Sequence, residues 1–300
     1  EVLQGKATIT SPWSVEVNGQ TLTTRAIVIA TGARPAVPDI PGLETVRYYT
    51  SDTIWSLTER PERLVVLGGG PIGCELAQTF ARLGCQVTQV ERGDLMMRED
   101  VDAVALVKAA LQDDGVQCLT QTEAVRCEKD AGMQRLIVRN QTGEETVLPF
   151  DALLCAVGRV ARTEGFGLEQ LGIPVSSHHT IETSAWLQTI YPNIYACGDV
   201  AGPYQFTHTA AHQAWYASVN ALFGTIKRFK ADYSVIPWTT FTDPEVARVG
   251  LSENEAKARG IAYEATRFDL GDLDRAIADE AAYGFVKVLT VPGKDRILGV

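Results

Sequence analysis

Residues Leu64-Val65-Val66-Leu67 run without a polar interruption into Gly68-Gly69-Gly70-Pro71-Ile72-Gly73, and an apolar helical pattern follows at once. An apolar run that ends in glycines and restarts as a helix predicts a buried strand, a tight turn and a crossover helix, the opening of a βαβ unit. Gly68 makes the turn out of the strand. Gly70 keeps the backbone bare where a ligand approaches, and Gly73 lets the helix lie close to the sheet. Pro71 suits the first helical position, where an N–H needs no intrahelical partner. The free N–H groups of that first turn, Ile72 among them, and the helix dipole favour phosphate. The segment therefore predicts a dinucleotide site.

The next strand reads Gln86-Val87-Thr88-Gln89-Val90 and ends at Glu91, eighteen residues after Gly73. A carboxylate there accepts hydrogen bonds from an adenosine ribose diol and repels a 2′-phosphate, which favours NAD over NADP. Arg92 follows directly and could pair with that phosphate, so NADP stays open as the alternative.

The 300 residues, 45% of them hydrophobic, suffice for two or three cores. A net charge of -10 argues against nucleic acid or an anionic membrane as partner. No run approaches the roughly 20 apolar residues of a membrane span, and no charged-then-apolar leader is present. Six cysteines stand at 74, 85, 118, 127, 155 and 197, with no CxxC or CxxxxC pair and no zinc spacing. They read as small buried hydrophobes in a reducing cytoplasm. Cys74 reads as packing between helix and sheet rather than as a redox thiol. The chain opens on Glu1-Val2-Leu3 and stops at Leu298-Gly299-Val300 inside a strand-like pattern. A fragment of a longer protein is the expectation.

Residues 6–30 read as a small meander, with Asn18-Gly19 as a hairpin turn. Ala26-Ile27-Val28-Ile29-Ala30 reads as a strand covered on both faces. The three prolines between Pro35 and Pro41 suggest an extended linker. A helix is expected near 102–113, strands around Leu136–Arg139 and Glu145–Leu148, a closing run from Ala152 to Arg159, a buried strand over Asn193–Val200 ending in Gly-Asp, and a helix from about Thr209 to Phe223. Ser252-Glu253-Asn254-Glu255 is a capping box before a short helix. Phe285–Leu289 and Ile297–Gly299 flank a Pro292-Gly293-Lys294 turn, the pattern of an antiparallel hairpin.

Four motifs stand in order along the chain: Ala30-Thr31-Gly32, the Gly68–Gly73 loop, Ala156-Val157-Gly158-Arg159 and Ala196-Cys197-Gly198-Asp199. With the tail Phe241-Thr242-Asp243-Pro244-Glu245-Val246 they resemble the class I pyridine nucleotide–disulfide oxidoreductases, in the mercuric reductase and dihydrolipoamide dehydrogenase branch. The resemblance implies an α/β fold: two Rossmann-like nucleotide-binding domains, for FAD and NAD(P), plus a truncated α+β dimerisation domain. The expected boundaries are 1–60 and 161–232 for the FAD and central part, 61–160 for NAD(P), and 233–300 for dimerisation. It further implies FAD contacts from Thr31, Gly32, Arg159, Gly198, Asp199, Thr207, His208 and Ala210. For NAD(P) it implies Gly68, Gly70, Pro71, Ile72, Gly73, Glu75, Glu91, Arg92 and Gly158. His208 and His212 stand four apart but lack a third ligand, so flavin-side contacts or packing are expected rather than a metal.

The implied activity is hydride transfer from NAD(P)H, NADH favoured, to FAD and on to a disulfide, metal-ion or other small-molecule substrate, in a cytoplasmic homodimer. The family's redox cysteines and its His–Glu pair are expected outside residues 1–300, leaving no catalytic residue within them. The alternatives are a flavin reductase or NADH oxidase that needs no disulfide, and a nucleotide-binding module without turnover.

Overall fold

The computed structural model describes residues 1–300. The chain divides into two compact units, one of residues 1–34 and 159–234, the other of 35–158 and 235–300.

β1 (Ala7–Ser11), β2 (Ser14–Val17) and β3 (Gln20–Thr23) form an antiparallel meander. Asn18 and Gly19 between β2 and β3 take φ of 53° and 76°, the left-handed pair that a two-residue hairpin turn of this kind demands. β4 (Ile27–Ile29) and β5 (Ala33–Pro35) follow.

The second unit is built on β6 (Tyr48–Thr50), β7 (Arg63–Leu67), α1 (Pro71–Arg82), β8 (Gln86–Val90), α2 (Val101–Asp113) and β9 (Gln117–Leu119). It continues with β10 (Thr122–Asp130), β11 (Met133–Asn140), β12 (Glu145–Phe150) and β13 (Ala152–Cys155), after which comes β14 (Arg159–Ala161). Five parallel strands lie in the order β6-β13-β7-β8-β9. Side chains alternate across a strand, so Leu64 and Val66 pack with Cys74, Ala77, Val107 and Leu111 of the helices. Val65 and Leu67 pack on the other face with Leu136, Val138, Leu148 and Phe150 of the β10-β11-β12 meander. Two covered faces explain the unbroken apolar run of β7. Each such side chain contributes roughly 1.5–3 kcal/mol by burial.

Several elements here differ from the sequence expectation, which placed no strand at β6, β9 or β10. β10 was not anticipated, because Thr122-Glu123-Ala124-Val125-Arg126-Cys127-Glu128-Lys129-Asp130 carries charge along most of its length. β6 falls inside the first domain expected over residues 1–60, yet it pairs in parallel with β13 as the edge of the second unit's sheet. Three residues carry no period that could have shown this.

In the first unit β15 (Ile194–Ala196) pairs in parallel with β4, Ile194 opposite Ile27, and β14 pairs with β5. Ile27 and Ile29 join Leu168, Ile181 and Ile194 in one core. Val28 points the other way and is 40% exposed, so the second face of β4 is only partly covered. α3 (Thr207–Phe223) begins two residues before the expected start.

The remaining elements belong to the second unit: β16 (Pro237–Thr240), β17 (Val246–Val249), α4 (Glu253–Ala258), β18 (Glu264–Asp269), α5 (Asp274–Ala278), β19 (Phe285–Thr290) and β20 (Ile297–Gly299). The Ser252/Glu255 capping box forms as anticipated, and β19 and β20 pair antiparallel. β18 was missed because all six of its residues are exposed.

Polar anchors fasten this segment to α1 and α2. Gln78 of α1 donates to Asp243 O at 2.8 Å and accepts from Asp243 N–H at 2.8 Å. Lys287 Nζ lies 2.9 Å from both Asp100 oxygens, 2.8 Å from Asp102 Oδ2 and 3.0 Å from Glu253 Oε1. No helix is long and apolar enough to cross a membrane.

Candidate nucleotide-binding sites

The glycines after β7 are required for different reasons. Gly68 has φ of +111°, and a Cβ there would lie 2.3 Å from Ala156 O. A Cβ on Gly73 would lie 2.2 Å from Gly68 O, so α1 could not approach the turn. Gly70 is unlike both: its φ is −76°, open to any residue, and nothing stands within 4 Å of where its Cβ would be. Packing within the chain leaves that position free. Gly70 is also the N-cap of α1, no side chain caps the helix, and Pro71 occupies its first turn. An uncapped helix start beside a bare glycine is a place where an anion can reach backbone N–H groups.

Glu91 stands at the end of β8, where its position predicted it. Its Oε2 accepts from Gly69 N–H at 2.6 Å and its Oε1 from Gly93 N–H at 2.8 Å. Each carboxylate oxygen keeps a further lone pair for a hydroxyl donor. A Cβ on Gly69, which sequence reasoning did not single out, would press within 2.8 Å of Glu91 Cγ. Arg92 is exposed. Glu75 accepts from Phe241 N–H at 2.9 Å, and burial pushes its carboxyl above the ordinary value. Gly158, with φ of +128° and open space at its Cβ, follows the Ala156–Val157 backbone that closes on Gly68. Cys74 is wholly buried, and burial raises its thiol to about 12. It remains protonated at neutral pH, which suits packing and not thiolate chemistry.

The first unit gathers its own set. Thr31 Oγ1 donates to Arg162 O at 2.8 Å, and Arg162 N–H donates back to Gly32 O at 2.9 Å. Arg159 donates to Ala33 O at 3.2 Å and places its Nε 3.6 Å from Asp199 Oδ2. Cys197 N–H donates to Ile29 O, which sets Gly198 and Asp199 at the end of β4. Gly198 has φ of +77°, and a Cβ there would meet Ala210 at 3.3 Å. Thr31, Gly32, Arg159, Gly198, Asp199 and Ala210 are thus joined through contacts at one end of the β4/β15 pair.

α3 starts at Thr207 without a side-chain cap, and the Thr209 hydroxyl beside it is buried without a partner. His208 is exposed and stacks on Phe206 at 5.3 Å. His212 has its Nε2 2.7 Å from Asp232 O.

Gln213 was missed. Fully buried, it accepts from Gly198 N–H at 2.6 Å and donates to Gly202 O at 2.5 Å and Tyr233 Oη at 2.9 Å. The available signal was a row of polar residues (Thr209, Gln213, Asn220) on the stripe of α3 that the fold buries.

The model of the pyridine nucleotide-disulphide oxidoreductase family matches residues 1–214, and that of the dimerisation domain of the same family matches 236–300. Mercuric reductase of Staphylococcus aureus is 34% identical over 300 residues, covering all of this chain and 54% of the relative. Dihydrolipoyl dehydrogenase of Thermus scotoductus is 35% identical over 309 residues, covering all of this chain and 65% of the relative. Among solved structures, the Cu(II) complex of the HOCl-induced flavoprotein disulfide reductase RclA from Escherichia coli superposes with a TM-score of 0.89 at 30% identity. That match covers all of this chain and 68% of the other. The chain spans about half the length of the mercuric reductases it matches. The motifs, the two groups of contacts and these matches agree: the chain belongs to the pyridine nucleotide-disulphide oxidoreductase family.

Proposed function

We propose that this protein works as an FAD-dependent NAD(P)H oxidoreductase, drawing hydride from nicotinamide and delivering electrons to a disulfide or metal-ion substrate. The observation that carries the reading is Gly70, a glycine at an uncapped helix start that no contact within the chain requires. Its family is FAD-dependent and uses NAD(P)H. The residues of the first unit fit a flavin dinucleotide. α3 begins uncapped, Thr209 keeps a buried hydroxyl unpaired, and Gly32 leaves open space at its Cβ position. Thr207, His208 and Ala210 would hold the flavin side, Asp199 the ribityl region, and Thr31 and Gly32 the dinucleotide backbone. The bound flavin supplies hydride-accepting chemistry. This chain's residues bind and orient, and Arg159 balances the charge of Asp199.

For the nicotinamide cofactor, Gly68, Gly70, Ile72 and Gly73 would receive the pyrophosphate, with Pro71 starting the helix. Gly158 would leave room beside them, Glu75 would lie toward the nicotinamide, and Glu91 would take the adenosine ribose. The match to the dimerisation domain supports a homodimer. Six free cysteines support a reducing, cytoplasmic setting.

Calorimetric titration with NADH and NADPH tests the cofactor reading. Glu91, fixed by two backbone amides, is expected to favour NADH by about tenfold or more, equivalent to about 1.4 kcal/mol. Tighter binding of NADPH would show that Arg92 governs the choice.

A further inference from the structure

Gln89 of β8 and Glu91, the residue just past its end, stand two apart on extended backbone and so point to the same face, under the glycine loop. Gln89 is 1% exposed, and its Nε2 donates to Gly68 O at 3.0 Å. Glu91 Oε2 accepts from Gly69 N–H at 2.6 Å. That carbonyl and that N–H are the two edges of one peptide group, the one between Gly68 and Gly69. A peptide flanked by two glycines has little conformational preference of its own, so its orientation must come from outside.

Gln89 also leaves its Oε1 buried without a partner, an arrangement that a hydrocarbon side chain would avoid. Cys74 Sγ, 3.5 Å from Gln89 Nε2, closes the other side of the same small space.

We propose that Gln89 is a positioning residue for the dinucleotide loop: with Glu91 it clamps the Gly68–Gly69 peptide so that the amides beyond Gly70 face the pyrophosphate. The role rests on the nucleotide-binding reading above. It predicts a selective defect, because only ligands that carry phosphates use those amides.

The experiment is calorimetric titration of the wild-type protein, Gln89→Leu and Gln89→Met with ADP-ribose and with adenosine. The methionine variant keeps the length and flexibility of the side chain, should the leucine variant fail to fold. Both variants are expected to bind ADP-ribose about tenfold more weakly, with adenosine affinity unchanged. Unchanged ADP-ribose affinity in folded variants would overturn the proposal. An equal loss for adenosine would also overturn it, by showing a general disturbance of the site. Failure of the wild type to bind ADP-ribose would instead remove the nucleotide reading itself, and this inference with it.

Discussion

Lys287→Met is expected to destabilise the protein by about 3 kcal/mol, the lower end of the range for stripping one partner from a buried ion cluster. The Lys287 side chain is 10% exposed, while those of Asp100, Glu253 and Asp102 are 19%, 26% and 44% exposed. The variant leaves three carboxylates facing one another around a methionine. Solvent reaches Asp102 and screens part of that repulsion, which is why the lower end applies.

The pH dependence has a definite sign. Hydrogen bonding from Lys287 holds Asp102 and Glu253 below their ordinary 3.8 and 4.5. Their contribution is complete above those values and disappears as the pH falls through the lowered folded values. Burial pulls the Lys287 ammonium down, but its three carboxylate partners outweigh burial and raise it above its ordinary 10.5. Its contribution is therefore complete below 10.5 and is lost as the pH rises beyond that. Urea unfolding of wild type and variant across pH measures this. The stability gap is expected to be widest between about pH 5 and 10 and to narrow in acid. An equal gap at pH 7 and pH 2.5 would contradict it.

Gly68→Ala and Gly70→Ala are expected to diverge sharply although only Gly69 stands between them. At Gly68 the substitution meets a left-handed backbone, a strain of about 1–3 kcal/mol. It also sets a methyl 2.3 Å from Ala156 O, so the backbone of β7 or of the segment after β13 must shift, for about 1–3 kcal/mol more. At Gly70 the backbone accepts alanine and the space is open. Stability is expected to hold or to rise by less than about 1 kcal/mol, because alanine restricts the unfolded chain. NADH affinity is expected to fall about ten- to hundredfold, equivalent to about 1.4–2.7 kcal/mol. Thermal melts and NADH titration of the two variants separate a glycine needed by the fold from one needed by a ligand.

That contrast also marks what was legible in the sequence. The strand, glycine loop, helix and Glu91 could be read because each is set by residues close together in the chain, with a period or a turn to mark it. The Asn18-Gly19 turn and the Ser252 capping box were readable for the same reason. Gln89, Gly69 and Gln213 were not, since each owes its role to a hydrogen-bond partner 15 to 22 residues away. β10 escaped because charge runs along most of its length, and β18 because all six of its residues are exposed, so neither shows an apolar alternation. The placement of residues 48–50 depends on pairing with residues 153–155, which nothing local announces.

For hydride to reach a substrate, the proposed nucleotide site and the proposed flavin site must work together. An anaerobic titration of the flavin-loaded protein with NADH, followed by visible absorption, measures that in one experiment. The expected result is loss of the oxidised flavin band with about one equivalent of NADH. A flavin that stays oxidised while NADH demonstrably binds would contradict the proposed oxidoreductase and leave a nucleotide-binding module in its place.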